Sequence, residues 1–584
     1  MKHDFFDLGP ASDFPAGAPV LRKGPGGLRF ACVREGEAVH AVDDRCPHQG
    51  YPLSQGEVRG GVLTCRWHNW KFELASGACT FGGEPVRRYA TRIEDGRVRL
   101  DLALDRGAEV RRLVASLKAA QRRDETARAL RDGLRLGDLG LPRGDEERAG
   151  LGKLATAFEV VAIDGAERAS EGFDHGLAVL ADLCAWADRG LIKPEEAFVL
   201  GAHAIAAESL NLGVRGAPTP GARVSPATSF ARLADLEGKD LEPVRDALVA
   251  ERREEAEAMV RAIVESRGID AATDALLPFV AEHLYDRGHG AIFVAKALEL
   301  SRRFPLAAIE VFAAVTVTLA WATADTALPP FSATRRALEQ TADLPLGAGP
   351  LVDRDAYELA VLAGESEAVT ATVARLASGT DPAALLRAVG RAAAVRLLRF
   401  DAAWESRTDA AVTVLDVSHA VTFAEAAIAL TSARPERARI AARLAVQAAG
   451  FAGKLRRGDA PSAQAAPLAR AGQQSLLEAA SARDVAQALA VVTGLGRDER
   501  AASYDALAPF AAFDAATLPI FYAHAIKVSE ALRRLDAADD AADDTYLRAL
   551  VAYLVPVRPE RHWRRTAAIA AQFLSDGRPP KGLY

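Results

Sequence analysis

The sequence predicts a multidomain protein in which a small all-β domain precedes a large all-α domain. Up to about residue 104 the chain is rich in Gly, Pro, Val and aromatic residues, and apolar residues alternate with polar ones over short runs. This pattern is typical of strands joined by turns. Beyond about residue 155 the chain is rich in Ala and Leu, and apolar residues recur at the helical spacing i, i+3, i+4 and i+7. A length of 584 residues suggests roughly two to four domains.

We therefore divide the chain into three parts. Residues 1–104 form the β domain, with turns such as Asp95-Gly96 between its strands. Residues 105–155 are highly charged and are predicted to be a helical connector with a solvated face, ending in a turn over Leu141–Gly144. Residues 156–584 form the all-α domain.

Composition and charge exclude several classes of protein. Apolar residues make up 49% of the chain, charged residues 26%, and the net charge is −6, which gives no indication of nucleic-acid or membrane binding. The most apolar stretch, Ala307–Ala324, contains Glu310 and is predicted to be a buried helix rather than a membrane span. The first residues lack the pattern of a secretory signal. The five cysteines show no disulfide framework, so we expect a cytoplasmic protein.

Two short segments of the β domain contain alternating cysteine and histidine. Cys46-Pro47-His48 is followed by sixteen residues and then by Cys65-Arg66-Trp67-His68. A Rieske centre has two thiolates on one iron and two imidazoles on the other, so each segment would supply one ligand of each kind. Zinc also accepts two cysteines and two histidines, but zinc fingers group like ligands together. The motif therefore predicts a [2Fe–2S] cluster held by Cys46, His48, Cys65 and His68.

The β domain resembles the small Rieske ferredoxins over roughly residues 5–103. The matching features are Gly60-Gly61, Trp70, Phe72 and the strand after Pro85. Respiratory Rieske proteins carry two extra cysteines that tie the cluster loops together, and this sequence has Tyr51 and Trp67 at those positions. The resemblance implies a low-potential cluster, near the bottom of the roughly −150 to +300 mV Rieske range.

Several histidines of the helical domain open or interrupt apolar helical runs. They are His175, His203, His289, His419 and His524. A lone histidine in such a run is usually a packed or surface residue. Buried imidazoles need polar partners, and a shared metal would satisfy several of them at once. The Asp-x-x-His-x-x-x-x-His segment of Rieske oxygenase α subunits is absent from the sequence, so the Rieske domain is fused to a different kind of domain.

Four ordered segments resemble the questin oxidase-like family, fungal and bacterial proteins linked to oxidative ring opening of anthraquinones. They are the run after His175, His289 to Glu299, His419-Ala-Val-Thr422, and His524-Ala-Ile-Lys527. In the second segment the first histidine of the family pattern is present and Phe293 replaces the second. The histidines are separated by 114, 130 and 105 residues, in the family order.

The questin oxidase-like resemblance implies a mononuclear non-haem iron held by four histidines, with a carboxylated lysine as an oxygen ligand. The implied metal ligands are His175, His289, His419, His524 and Lys527, of which His419, His524 and Lys527 are the implied catalytic residues. His524 and Lys527 share a helix face. A buried lysine has a lowered pKa, so its neutral amine can capture CO₂. The alternative is that Lys527 is an ordinary solvent-exposed lysine.

Other interpretations of the helical domain remain open. Asp286-x-x-His289 and Asp416-x-x-His419 each place a carboxylate and an imidazole on one helix face, as in carboxylate-bridged di-iron bundles. Alternatively, the protein is a non-enzymatic electron-transfer protein with a helical docking scaffold. His203 and His283 are further candidate ligands in any metal site.

Taken together, the two resemblances imply an oxygenase with its own electron supply. An external NAD(P)H-dependent reductase would reduce the Rieske cluster, and the cluster would reduce the iron. The iron would use O₂ to oxidise an apolar, aromatic or quinone-like substrate. The connector is long enough for the cluster to reach the iron within one chain or across a homodimer.

Overall fold

The computed structural model confirms the predicted fold class, because a small β-sheet domain precedes a large helical region. The structure describes residues 5–102, 106–139, 146–169, 172–211, 242–322, 331–401, 412–458, 472–512, 519–539, 543–556 and positions 567, 570, 571 and 575. The predicted turn Leu141–Gly144 lies outside the described residues.

The chain divides into two compact units. The first contains Met1–Val161, Lys193–His203 and His562–Tyr584. The second contains Ala162–Ile192 and Ala204–Arg561. The domain boundaries at residues 104 and 155 stay predictions.

Short strands form the β domain. They are β1 (Phe5–Pro10), β2 (Val20–Lys23), β3 (Arg29–Glu35), β4 (Ala38–Asp43), β5 (Glu57–Arg59), β6 (Val62–Thr64), β7 (Lys71–Glu73), β8 (Cys79–Phe81), β9 (Arg88–Tyr89), β10 (Thr91–Glu94) and β11 (Arg97–Asp101). They form three antiparallel sheets in the orders β1-β11-β10, β2-β3-β4-β9 and β5-β6-β7-β8.

Strand β3 is buried on both faces and so contributes to two apolar cores. Phe30 and Cys32 pack into one core, whereas Ala31 and Val33 pack into the other. This follows from the alternation of side chains along a strand. The second core also contains the two buried cysteines of the predicted cluster motif, which fixes the cluster loops to the sheets.

The described helices account for the rest of the fold. They are α1 (Arg106–Gln121), α2 (Thr126–Asp138), α3 (Ala155–Arg168), α4 (His175–Asp188), α5 (Pro194–Asn211), α6 (Glu242–Val249), α7 (Arg253–Val280), α8 (Tyr285–Arg303), α9 (Ala308–Ala320), α10 (Ser332–Gln340), α11 (Arg354–Ala363), α12 (Glu365–Ala377), α13 (Pro382–Arg399), α14 (Val414–Thr431), α15 (Ala438–Lys454), α16 (Gln473–Ala482), α17 (Val485–Thr493), α18 (Arg497–Ala511), α19 (Pro519–Ala538) and α20 (Thr545–Leu554).

Within the described part of residues 105–155, α1 and α2 are helices, but the prediction of a solvated face is wrong for α2. Residues 126–133 of this helix are all buried. Arg128 and Arg131 are only 6% and 1% exposed, and both form ion pairs with Glu84 of the β domain. The charges are therefore satisfied by buried carboxylates rather than by water.

Four helices of the second unit form a bundle in which each helix packs against the next. In order around the bundle they are α4, α8, α14 and α19, and α19 packs against α4 to close the ring. Asp174 caps α4 by accepting a hydrogen bond from Leu177 N at 2.8 Å. Thr413 and Asp416 form a capping box at the start of α14. These caps place His175 and His419 near the beginnings of their helices.

Two apolar helices of the second unit bear on the question of membrane spans. The stretch predicted to be a buried helix forms α9, which is buried over most of its length. Within the described part of the chain, α14 is the helix long and apolar enough to cross a membrane, and 72% of it is buried inside the protein. It is a core helix of the bundle.

Candidate functional site

Two loops of the β domain bring the predicted cluster ligands together. The first loop lies between β4 and β5 and the second between β6 and β7, and together they carry Cys46, His48, Cys65 and His68. In the second loop, Asn69 N donates a hydrogen bond to Cys65 O at 3.0 Å, which closes a tight turn. The Nδ1 atoms of His48 and His68 are 3.0 Å apart. The donor set that the sequence predicted is therefore assembled in one place.

Burial controls the ionisation of these four side chains. Each cysteine is 1% exposed. Burial raises the pKa of Cys46 well above its ordinary value, whereas a hydrogen bond from the Cys46 thiol lowers the pKa of Cys65. Burial lowers the pKa of His48 to about 4 and also lowers the pKa of His68. Two neutral imidazoles beside two thiols in contact are the donors that a Rieske [2Fe–2S] cluster requires.

Aromatic rings support both cluster loops. The rings of Tyr51 and Trp67 stack at 5.8 Å between centroids, at the two positions where respiratory Rieske proteins carry their extra cysteines. Trp70 stacks on His48 at 4.9 Å, with only 8° between the ring planes. The loops are therefore joined by ring packing.

Comparison with known proteins agrees with this geometry. Residues 4–89 match the Rieske [2Fe-2S] domain family. The chain is 33% identical over 101 residues to the anthranilate 1,2-dioxygenase ferredoxin subunit of Burkholderia cepacia, covering 93% of that protein and 17% of this chain. The chain belongs to the Rieske family through its N-terminal domain.

Other relatives match the same Rieske domain. Over 61 residues the chain is 48% identical to the 4beta-methylsterol monooxygenase of Methylococcus capsulatus, spanning 16% of that protein's length and 10% of its own. Among solved structures, the Sphingomonas yanoikuyae B1 ferredoxin is 25% identical, with all of that chain and 17% of this one covered, at a TM-score of 0.17.

A second group of candidate ligands lies in the helical bundle. We call it the histidine cluster, and it comprises His175 of α4, His289 of α8, His419 of α14 and His524 of α19. The Nε2 atom of His289 is 3.1 Å from that of His175 and 3.0 Å from that of His419. The Nε2 atoms of His419 and His524 are 3.2 Å apart. One histidine from each helix of the bundle thus points to a common centre.

Backbone carbonyls orient two rings of the histidine cluster. His419 Nδ1 donates a hydrogen bond to Leu415 O at 2.6 Å. His289 Nδ1 donates to Asp286 O, which it reaches because residues 286–288 take positive φ angles before the regular part of α8. A ring that donates through Nδ1 keeps the Nε2 lone pair for a metal. The rings are therefore held in the form that ligates.

Burial favours the uncharged form of three rings in the histidine cluster. His289, His419 and His524 are 4%, 3% and 1% exposed. Burial lowers the pKa values of His175, His289 and His419, and the nearby Lys527 charge contributes to all three shifts. Neutral imidazole is the form that binds metals.

Lys527 lies beside the histidine cluster and is 3% exposed. Burial lowers its pKa to about 7, while the carboxylates of Asp182 and Glu208 act in the opposite direction. The alternative of an exposed surface lysine is therefore wrong, because this side chain is buried among other charged groups.

Apolar rings flank the histidine cluster on one side. The Phe293 ring centroid is 4.8 Å from that of His289 and 5.3 Å from that of Phe173. Phe293 occupies the position where the questin oxidase-like pattern has a second histidine. Its ring thus forms part of an apolar wall next to the candidate ligands.

The carboxylates of the di-iron interpretation have other partners. Asp416 accepts hydrogen bonds from Thr413 N at 2.7 Å and Thr413 Oγ1 at 2.8 Å, and it pairs with Arg287. Asp286 pairs with Arg287 and lies 3.3 Å from His289 Nδ1. Asp416 therefore supports the start of α14, and Asp286 lies beside the His289 ring.

The two further candidate histidines have different surroundings. His203 belongs to the first unit, and its Nδ1 atom is 2.9 Å from Asp124. His283 stacks on Phe279 with 4.2 Å between ring centroids.

The bundle has a second layer of charged side chains that the sequence did not predict, which we call the ionic layer. It lies roughly two to three turns beyond the histidines on the same helices and comprises Asp182, Lys296, Glu299, Glu425, Glu530 and Arg534. Lys296 Nζ is 2.7 Å from Asp182 Oδ1. Arg534 pairs with glutamates from three helices, at 2.9 Å for Glu530 and 3.2 Å for Glu425. The charged residues within apolar helical runs are the sequence feature that could have indicated this layer.

Proposed function

We propose that the protein is a Rieske-dependent oxygenase in which the cluster supplies electrons to a mononuclear non-haem iron in the helical bundle. The histidine cluster and Lys527 would hold this iron, and an apolar, aromatic or quinone-like compound would be the substrate. The observation that carries the proposal is the convergence of four Nε2 atoms, one from each helix of the bundle.

The histidine cluster fits a metal ion for an electrostatic reason. Ring nitrogen lone pairs that face one another at about 3 Å repel, and a cation held by the four histidines would relieve that repulsion. Imidazole nitrogen suits iron, and a set with exchangeable positions is typical of non-haem iron oxygenases. Iron bound here would supply the O₂ chemistry that no side chain provides.

Lys527 would provide the oxygen donor that imidazoles lack. With a pKa of about 7, a large fraction of its amine is neutral near neutral pH. The amine nitrogen would form a bond to the carbon of CO₂ and release one proton, which leaves a carbamate anion. Its position three residues after His524 puts both groups on one face of α19.

The substrate class is supported by the apolar wall and by the relatives. Phe293 and Phe173 offer ring surface beside the histidine cluster, and aromatic side chains stack readily on planar ligands. Relatives named as monooxygenase and dioxygenase components belong to oxygenase systems, although they match the Rieske domain alone.

Electrons would come from an external NAD(P)H-dependent reductase. His68 is exposed and His48 is half-buried, so the second cluster loop is accessible to such a partner. Because cluster and bundle share one chain, the effective concentration of donor at acceptor is high.

Rapid mixing tests the proposal. The full chain is reduced by one electron per cluster under argon, then mixed with O₂ and a hydroxylated anthraquinone while cluster absorbance is followed. We expect rapid reoxidation in the parent and at least roughly hundredfold slower reoxidation in His419→Ala and His524→Ala, because the acceptor is lost. His283→Ala is the matched control and keeps the parent rate. Equal rates in all four proteins would show that the cluster does not feed the bundle.

A further inference from the structure

An ion-pair network joins the Rieske domain to α1 and α2 within the first unit. Its members are each less than a tenth exposed and comprise Glu84, Ser116, Arg128, Arg131 and Asp132. Glu84 belongs to the Rieske domain, in the loop that follows β8, whereas the other four residues lie on α1 and α2. The network therefore connects a Rieske loop to helices outside the sheets.

Arg131 is the centre of this network. Its Nη2 atom donates to Glu84 Oε2 at 2.8 Å, and its Nε atom donates to Asp132 Oδ1 at 2.8 Å. Arg128 Nε is 3.0 Å from the same Glu84 oxygen. Ser116 Oγ hydrogen-bonds Asp132 at 2.5 Å and also contacts Glu84. The Arg131 side chain is 1% exposed, so these contacts stand where water would otherwise bind.

The Glu84 loop connects Arg131 to an iron ligand. Gly82, two residues before Glu84, has a φ of +136°, and a Cβ there would lie 2.4 Å from the Trp70 ring. The loop backbone thus packs flat on one face of Trp70. The His48 ring also stacks on Trp70, at 4.9 Å between ring centroids. Three successive contacts therefore lead from Arg131 to His48: Arg131 with Glu84, the Glu84 loop with Trp70, and Trp70 with His48.

One donor of the Arg131 guanidinium is not used by this network. Arg131 Nη1 is buried and makes no hydrogen bond within the described part of the chain, although a guanidinium normally uses its donors when buried. Because the Glu84 loop contacts Trp70 and Trp70 stacks on His48, packed groups link the buried Arg131 charge to a cluster ligand.

We propose that Arg131 is a positioning residue of the Rieske cluster that holds the Glu84 loop on Trp70 and raises the reduction potential of the cluster. Reduction adds one negative charge to the cluster, and a buried positive charge nearby favours the reduced form. The potential of this cluster is thus set partly by a helix outside the Rieske domain. The proposal holds whether or not the bundle binds iron.

Redox titration of the full chain with dithionite, followed by EPR of the reduced cluster, tests this role. Arg131→Met should lower the equilibrium constant for reduction about tenfold, which is about 59 mV for one electron. Glu84→Gln should shift the potential the other way, because it removes the counter-charge of Arg131. Arg131→Lys should restore most of the potential, since it keeps the charge.

Arg135→Met is the matched control, because Arg135 lies on the same helix and pairs with Asp43 of the Rieske domain. It should keep the parent potential and EPR signal. Potentials that fall in both Arg131→Met and Glu84→Gln would indicate a merely structural ion pair and overturn the proposal, as would no shift in either. If Arg131→Met fails to assemble a cluster, Glu84→Gln still decides the matter, because its potential should rise while that of Arg135→Met stays at the parent value.

Discussion

At the scale of single residues, Lys527 shows how burial prepares a side chain for chemistry. Its ammonium form is disfavoured by burial and by the neighbouring Lys296, so the pKa falls from 10.5 to about 7. Between these two values the unfolded chain binds more protons than the folded one. The contribution of Lys527 to the free energy of unfolding therefore increases, and the folded state becomes more stable, as the pH rises from about 7 to 10.5.

Carbamate formation at Lys527 should follow the same titration. After equilibration with ¹³C-bicarbonate, the carbamate carbon signal should grow from pH 6 to pH 8, because only the neutral amine reacts with CO₂. Lys527→Met should lack the carbamate signal. The control Lys296→Met should keep a carbamate signal, because the Lys527 amine remains. A parent protein without any carbamate signal at pH 8 would return Lys527 to the role of a buried amine.

Gly82 is a residue at which the addition of one Cβ atom should destabilise the cluster loops. Gly82→Ala combines a positive φ with a Cβ 2.4 Å from Trp70, so the ring that stacks on His48 must move. The expected cost is about 1–3 kcal/mol from backbone strain alone, with the steric clash added. The temperature at which cluster absorbance is lost should fall accordingly.

Gly96→Ala is the control for Gly82→Ala. Gly96 also has a positive φ, +70°, but a Cβ there would meet no atom within 4 Å. It should lower the temperature of cluster loss by less than Gly82→Ala does. Equal decreases would mean that strain alone, and not contact with Trp70, explains the effect.

At the scale of elements, the ionic layer fixes how the four helices of the bundle sit side by side. Arg534→Met would leave Glu425 and Glu530, which are 6% and 2% exposed, without their shared partner. Because Arg534 is 26% exposed and Glu530 keeps other partners, we expect a cost of about 1–3 kcal/mol. Hydrogen exchange of amides in α14 and α19 should report this loss.

Two comparisons separate charge from packing in the ionic layer. Adding Glu425→Gln to Arg534→Met should recover part of the stability, because one uncompensated charge disappears. Arg533→Met removes a less buried partner of the same Glu530 and should cost about 0–1 kcal/mol. An Arg534→Met variant no less stable than Arg533→Met would contradict this account of the layer.

Elements also show how far sequence reasoning reached. Apolar periodicity predicted helices such as α4, α8, α13 and α15, because their buried faces repeat at the helical spacing. The predicted exposure of α2 was wrong, because the sequence alone does not show whether its arginines are solvated by water or paired with buried carboxylates. Pairing between residues as distant as Glu84 and Arg131 is a property of the fold, which local patterns do not contain.

The two candidate metal sites differ in how far their ligands could be predicted from local sequence motifs. The Rieske ligands come in two short motifs, so spacing alone predicted their chemistry. The members of the histidine cluster are more than 100 residues apart, and only their order in a family pattern linked them. The bundle brings the four Nε2 atoms together. The residues of the ionic layer belong to no motif or family pattern that could have predicted their pairing.

At the scale of the whole molecule, one chain carries an electron-transfer domain and a bundle with a candidate iron site. The Rieske domain accounts for the similarity to known oxygenase components. The bundle contributes four histidines, three of them with pKa values lowered by burial, and a lysine whose pKa burial lowers to about 7. If both sites are filled, each chain carries metal in two chemically distinct environments.

Counting iron and labile sulfide in anaerobically purified full-length protein tests this account most directly. We predict three irons and two sulfides per chain, and two irons with two sulfides in His524→Ala, because only the bundle iron is lost. The control His283→Ala should keep all three irons. Two irons per chain in the parent would contradict a metal site in the bundle, and four would favour a di-iron centre instead.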